Sequence, residues 1–274
     1  MNFHRLATAV VAVASLAAPA LAQKASGPLL LLAPASTRAA ALGNAWVAGR
    51  DEDVIFYNPA QIIAAARGGF SATFARYGST TSLGAMSGAY SAGPASFTIG
   101  WGAQFADYST RPEVPYPYST SLLTTDGTVD AYSAVLMGGA AIVVKGFRVG
   151  AAAKYATDRV AEPSNEPGGP LDVRHDAMLV DAGIARAFLG GTLGLSAQNF
   201  AGRKSTDGAR TIDAPLQGLL GWTTVKQAGP FDVGFYGQVA GRDDWVSPGG
   251  GIELGYSWIE GYAITLRGGG RRTA

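Results

Sequence analysis

Few residues of this chain have the types and spacing for chemistry. His175 has Asp172 and Asp176 close by and Ser164 upstream, the residue types of a Ser-His-acid relay. No nucleophile motif accompanies them, so the chain reads as a non-enzyme and His175 as a loop residue. Gly202-Arg203-Lys204-Ser205-Thr206 has the residues of a phosphate loop but lacks the upstream glycine spacing and a strand-to-helix setting. Asp51-Glu52-Asp53 offers carboxylates to calcium, yet a calcium loop spaces its oxygen ligands, and a contiguous acidic run reads as a solvated turn. With no cysteine there is no thiol chemistry, disulfide or Cys-based zinc site, and no metal or cofactor is expected. Four more charges, Lys154, Asp181, Glu253 and Arg267, stand alone in segments of small or apolar residues.

Those segments alternate with a period of two. In Ala95–Phe105 the odd positions include Phe97, Ile99, Trp101 and Phe105, and the even ones Ser96, Thr98, Gly100, Gly102 and Gln104. Phe70–Phe74, Phe147–Tyr155, Phe231–Val239, Ile252–Trp258 and Tyr262–Leu266 repeat the pattern. Successive strand side chains point to opposite faces, so each segment predicts a two-faced strand. The predicted strands are 68–77, 80–92, 95–106, 129–144, 147–158, 175–188, 191–200, 214–225, 231–241, 246–258 and 262–270. On the small-residue face Lys154, Asp181, Glu253 and Arg267 would be contacts to a plug, a gate, or ordinary lumen residues.

A soluble sandwich also alternates, so the connections arbitrate. Tight links such as Lys145-Gly146 and Leu189-Gly190 alternate with mostly long polar ones, including Asp107–Thr128 and Arg159–Arg174. Sorting by parity predicts an all-β, up-and-down transmembrane β-barrel with short turns at one end and long loops at the other. Rings near the strand ends (Tyr77, Phe105, Tyr108, Phe147, Tyr155, Phe200, Trp222, Phe231, Trp258 and Tyr262) fit two interfacial girdles. A secreted soluble β-protein is the alternative.

Composition agrees: 47% hydrophobic, 38 glycines and only 15% charged residues, against about 25% in ordinary globular domains. No stretch after the leader reaches the roughly 20 apolar residues of a spanning helix. Residues 1–22, with Arg5, an apolar run and Ala20-Leu21-Ala22, read as an export signal cleaved after Ala22. Its loss leaves acids and bases in equal number, with no electrostatic case for nucleic acid.

Residues 23–67 do not alternate and predict a plug folded into the barrel. Ser36 or Thr37 would cap a short helix ended by Gly43, and Asn58-Pro59 would turn the chain into the first strand or anchor the plug to the wall. Arg38, Ala39, Leu42, Gly43, Ala45, Val47 and Ala48, then Asp51 and Asp53, then Tyr57, Asn58, Pro59 and Ala60, resemble a pattern of the FadL superfamily of outer-membrane proteins, most closely its PorV/PorQ-like branch. Asp181, Gly183, Leu193, Gly194 and Asn199 are similar to a later hairpin of that family; Gln61 stands where the family usually has glycine. The resemblance implies an outer-membrane barrel of roughly 14 strands, of which about 11 are seen here, so that 68–274 would lack the last strands. It implies passive uptake of hydrophobic small molecules such as fatty acids in a Gram-negative outer membrane. The alternatives are a partner-binding component of type IX secretion, receiving secreted proteins, or a structural barrel.

Overall fold

The computed structural model describes residues 29–65, 68–77, 81–92, 97–109, 130–162, 171–200, 206–207, 210–211, 214, 216–242, 245–259 and 262–272. The expected export signal, Ser164 and Gly202-Arg203-Lys204-Ser205 lie outside them.

Eleven strands form one antiparallel sheet in which every strand pairs with its neighbours in the up-and-down order of the chain. They are β1 (Gly68–Tyr77), β2 (Thr81–Ala92), β3 (Phe97–Asp107), β4 (Asp130–Val144), β5 (Phe147–Glu162), β6 (Leu171–Phe188), β7 (Gly191–Phe200), β10 (Gln217–Ala228), β11 (Phe231–Arg242), β12 (Trp245–Ile259) and β13 (Tyr262–Arg271). Two short strands, β8 (Thr206–Asp207) and β9 (Arg210–Thr211), pair with each other in the link between β7 and β10 and were not anticipated from sequence. β6 starts four residues earlier than expected, which puts His175 inside a strand and not in a loop.

The tight turns have a local cause. Lys145-Gly146 and Leu189-Gly190 are two-residue hairpin loops in which all four residues have positive φ. Positive φ at both central residues matches the right-handed twist of the flanking strands, and glycine takes the second position without strain.

One face of the sheet carries bulky apolar groups outward and the other carries small residues inward. In β3, Phe97, Ile99, Trp101 and Phe105 are exposed, while Thr98, Gly100, Gly102, Gln104 and Ala106 are buried. Few large side chains therefore enter the interior from the wall, among them Met137, Leu179, Leu219 and Tyr236. The N-terminal segment fills it, contributing Leu30, Leu42, Trp46, Val54, Ile55 and Ile62, all fully buried. A main cluster joins Leu42, Trp46, Val54, Ile55 and Ile62 to Ala85, Ala89, Met137, Ala141, Ala152 and Tyr236, and a second gathers Leu83, Val135, Ala177 and Leu179 around Leu30. The short helix α1 (Thr37–Ala41) touches both β13 and β1, so the two outermost strands approach the same element and the sheet curls around the segment. Among the described residues no pairing links β1 to β13.

Candidate functional site

The charged and amide side chains of the interior gather where the N-terminal segment meets the sheet. Ser36 caps α1 by accepting a hydrogen bond from the Ala39 N–H at 3.1 Å, and Gly43, at φ +66°, follows the helix end. That start aims Arg38 at the last strands. Its Nε and Nη2 donate to Glu253 Oε2 and Oε1 at 2.9 and 2.6 Å, and Nη1 donates to Asp51. Arg267 Nε donates to the same Glu253 Oε2 at 2.5 Å. The guanidinium also lies 4.8 Å from the centroid of the Trp46 ring, which stacks on Tyr236. Two cations and two carboxylates thus close a neutral network across α1, the turn before Glu52, β12 and β13. Burial alone would lower the pKa of Arg38, but Asp51 and Glu253 outweigh it and raise it, so the group stays charged.

The acidic run divides. Asp51 serves Arg38, whereas Asp53 is buried and accepts from Trp46 Nε1 at 2.7 Å. Burial pushes the Asp53 carboxyl above its ordinary range, against hydrogen bonds from Ser36 and Trp46. A solvated turn was expected here, and for Asp53 the structure corrects it. Among the described residues no three His, Asp or Glu side chains converge as a metal site.

Asn58 both caps and anchors. Its Oδ1 accepts from the Ala60 N–H at 3.0 Å, starting a 3₁₀ turn over Pro59–Ala64, and its Nδ2 donates to Val47 O at 2.9 Å and Ile184 O on β6 at 3.5 Å. The wall is close here, so a Cβ added to Gly150 would sit 2.6 Å from Ala60 N, and one added to Gly183 would collide with Asn58 Oδ1. Tyr57 donates no less to order, because its hydroxyl accepts the buried Ala35 N–H at 3.0 Å. Gln61, fully buried, accepts from Arg148 Nη1 at 2.6 Å.

Lys154 and Asp181 face inward and pair at 2.7 Å, almost wholly buried. A bulge builds their third partner: Gln198 and Asn199 on β7 oppose Asp181 alone on β6, and Asn199 takes φ +59°. Asn199 then accepts from Lys154 Nζ at 3.0 Å, and its N–H donates to Asp181 Oδ1 at 2.9 Å. Lys154–Asp181 and Arg38–Glu253–Arg267 are therefore separate groups.

Sequence reasoning did not single out the glutamines of the inner face. Gln198 Nε2 donates to Phe56 O and Tyr57 O at 2.7 and 3.0 Å, and Gln238 Oε1 accepts from the N–H groups of Trp46 and Val47 at 3.1 and 2.9 Å. An irregular segment has few backbone partners of its own, so wall amides supply them. The visible signal was a long polar side chain at inward positions otherwise held by Gly, Ala, Ser or Thr.

The His175 relay does not assemble. Asp172 and Asp176 lie at odd offsets from His175, hence on the opposite face, where they bond Arg159 at 2.9 Å and Arg174 at 3.2 Å. The cross-strand neighbour of His175 is Asp158, to which Ser133 donates. The acid lies between hydroxyl and imidazole, whereas a relay needs the imidazole in the middle. Compared with known proteins, the chain matches no family model, no curated protein and no solved structure.

Proposed function

We propose that this chain is an outer-membrane β-barrel, stoppered by its N-terminal segment, for passive uptake of small molecules. The observation that carries this reading is the inverted distribution of side chains: Phe70, Trp101, Leu136, Leu195, Phe235 and Ile252 are exposed, while Lys154, Asp181, Gln198 and Glu253 are buried. In water such an outer face is unfavourable over its whole extent; against hydrocarbon it is at home. Outward charges keep to the strand ends, with Asp172 and Arg174 near one end and Arg186 and Lys226 near the other. Rings also mark the ends: Phe231 pairs with Tyr256 at 5.0 Å beside the short turns, and Phe105 with Tyr132 at 5.9 Å beside a long link. Eleven residues of β3, at ~3.3 Å each and tilted by ~45°, rise about 25 Å, the height of a barrel's apolar band.

The amide-bearing wall supports a path for polar solutes over the fatty-acid route implied by the resemblance. The test of lipid embedding is Phe235→Arg in the full chain folded into phosphatidylcholine vesicles. At the midplane it should destabilise by ~2–4 kcal/mol. A change within ~0.5 kcal/mol, as for an ordinary exposed site in water, refutes the reading.

A further inference from the structure

Between the N-terminal segment and the sheet lies a cavity of about 220 Å³ that reaches from β3 to β13. Five carboxamides line it: Asn44 from the N-terminal segment, and Gln104, Gln198, Gln217 and Gln238 from four different strands. Two of them have one end occupied by the backbone of the N-terminal segment: Gln198 through Nε2 and Gln238 through Oε1. At the other end of the Gln198 amide, Oε1 accepts from Gln217 Nε2 at 3.5 Å, a long hydrogen bond. Gln104 is the decisive residue. It is 6% exposed, and its Nε2 has no acceptor among the described residues. Buried amides are normally hydrogen-bonded, so an unpaired donor lining a cavity points to a ligand with an acceptor at that place.

The lining also selects among ligands. A carboxamide presents a donor and an acceptor side by side, which is what a hydroxyl group, itself donor and acceptor, complements. An acyl chain would leave the Gln104 Nε2 donor unpaired. Lys154 contributes little net charge, because Asp181 is 2.7 Å away; the exposed Arg271 is the remaining cation of the lining. The volume corresponds to about seven waters at ~30 Å³ each, below the ~300 Å³ at which pockets for drug-sized ligands begin. We propose that this cavity binds a compact, neutral, hydroxyl-rich solute of monosaccharide size. The proposal deepens the uptake reading by naming its solute, but the binding itself is measurable without a membrane.

The experiment titrates the full chain, in detergent micelles, with glucose, galactose and mannose by calorimetry, and in parallel with gluconate and hexanoate. At least one neutral sugar should bind saturably and in preference to both comparators. Gln104→Leu keeps the size and removes the unpaired donor, so it should weaken that binding at least tenfold while leaving the melting temperature unchanged or higher. Gln217→Leu, on the other side of the cavity, should weaken it comparably. Absence of saturable sugar binding, preference for gluconate or hexanoate, undiminished binding by Gln104→Leu, or a melting temperature lowered by it each overturns the proposal. Vesicle insertion without sugar binding refutes this inference alone; sugar binding with a neutral Phe235→Arg refutes the membrane reading alone.

Discussion

If the Arg38–Glu253 pair ties the N-terminal segment to the wall, removing either partner should release it. Arg38 offers two donors to the two oxygens of Glu253, at 2.9 and 2.6 Å, a forked geometry worth more than a single contact. Hydrogen bonds to charged groups contribute ~1.5–3 kcal/mol each, which sets an upper bound of ~3–6 kcal/mol for the fork. Two features reduce it. The Arg38 side chain is 26% exposed, so solvent screens part of the attraction, and each partner keeps a second ion, Asp51 for Arg38 and Arg267 for Glu253. A coupling of about 2 kcal/mol follows, well above the ~0.2–1 kcal/mol of exposed ion pairs. The assay is a double-mutant cycle with Arg38→Met and Glu253→Gln, read by hydrogen exchange of the Trp46 and Tyr57 amides. Loss of the Arg38–Trp46 contact is common to both Arg38→Met corners and cancels. Protection attributable to the coupling should be about 30-fold, at ~1.4 kcal/mol per factor of ten. A coupling below ~0.5 kcal/mol would refute the tie and leave Glu253 an ordinary wall residue.

Three more perturbations test the same interface. Asp53→Asn should stabilise the protein at neutral pH while keeping an acceptor for Trp46 Nε1: the folded-state pKa is raised, so the wild type gains stability as pH falls through that pKa toward the ordinary carboxylate range, and the variant should lose this slope in melting experiments. Gly183→Ala should displace Asn58 and cost ~1–3 kcal/mol in denaturant unfolding, whereas Gly138→Ala, with open space at its Cβ position, should come within ~0.5 kcal/mol of wild type. Lys154→Met alone should cost ~3–5 kcal/mol by stranding the fully buried Asp181, and Lys154→Met with Asp181→Leu should recover most of that loss in melting temperature.

Sequence reading located the eleven long strands because their signal is local: a two-residue period and turn residues act within a few positions. Residues 147–158 could be seen as a strand from Phe147, Val149, Ala151 and Tyr155 alone, although β5 continues to Glu162. The same rule placed Lys154, Asp181 and Glu253 on the inward face. It does not say which inward residues meet. Glu253 and Arg267 are direct cross-strand partners, but Arg38 reaches them across more than two hundred positions of chain. The β6–β7 bulge was equally invisible, since one extra residue opposite Asp181 leaves the alternation on either side intact.

The N-terminal segment shows why alternation and irregularity belong together in this fold. A wall with mostly small inward residues and large outward ones leaves much of its interior unfilled, as the buried Ala85, Ala89, Ala141 and Ala152 illustrate. Something bulky must occupy the space they leave, and Leu42, Trp46, Ile55 and Ile62 do so. A helix long enough to supply that bulk would satisfy its own backbone and need few wall partners. The segment instead folds as short turns that follow the curved wall, which leaves the N–H groups of Trp46 and Val47 and the carbonyls of Phe56 and Tyr57 to be met from outside. Gln238 and Gln198 meet them with one end of each amide. An amide used that way presents its other end to the interior. The polarity of the cavity is thus a consequence of how the segment is held, and Gln104 Nε2, without an acceptor among the described residues, is the one glutamine donor there that this holding does not explain.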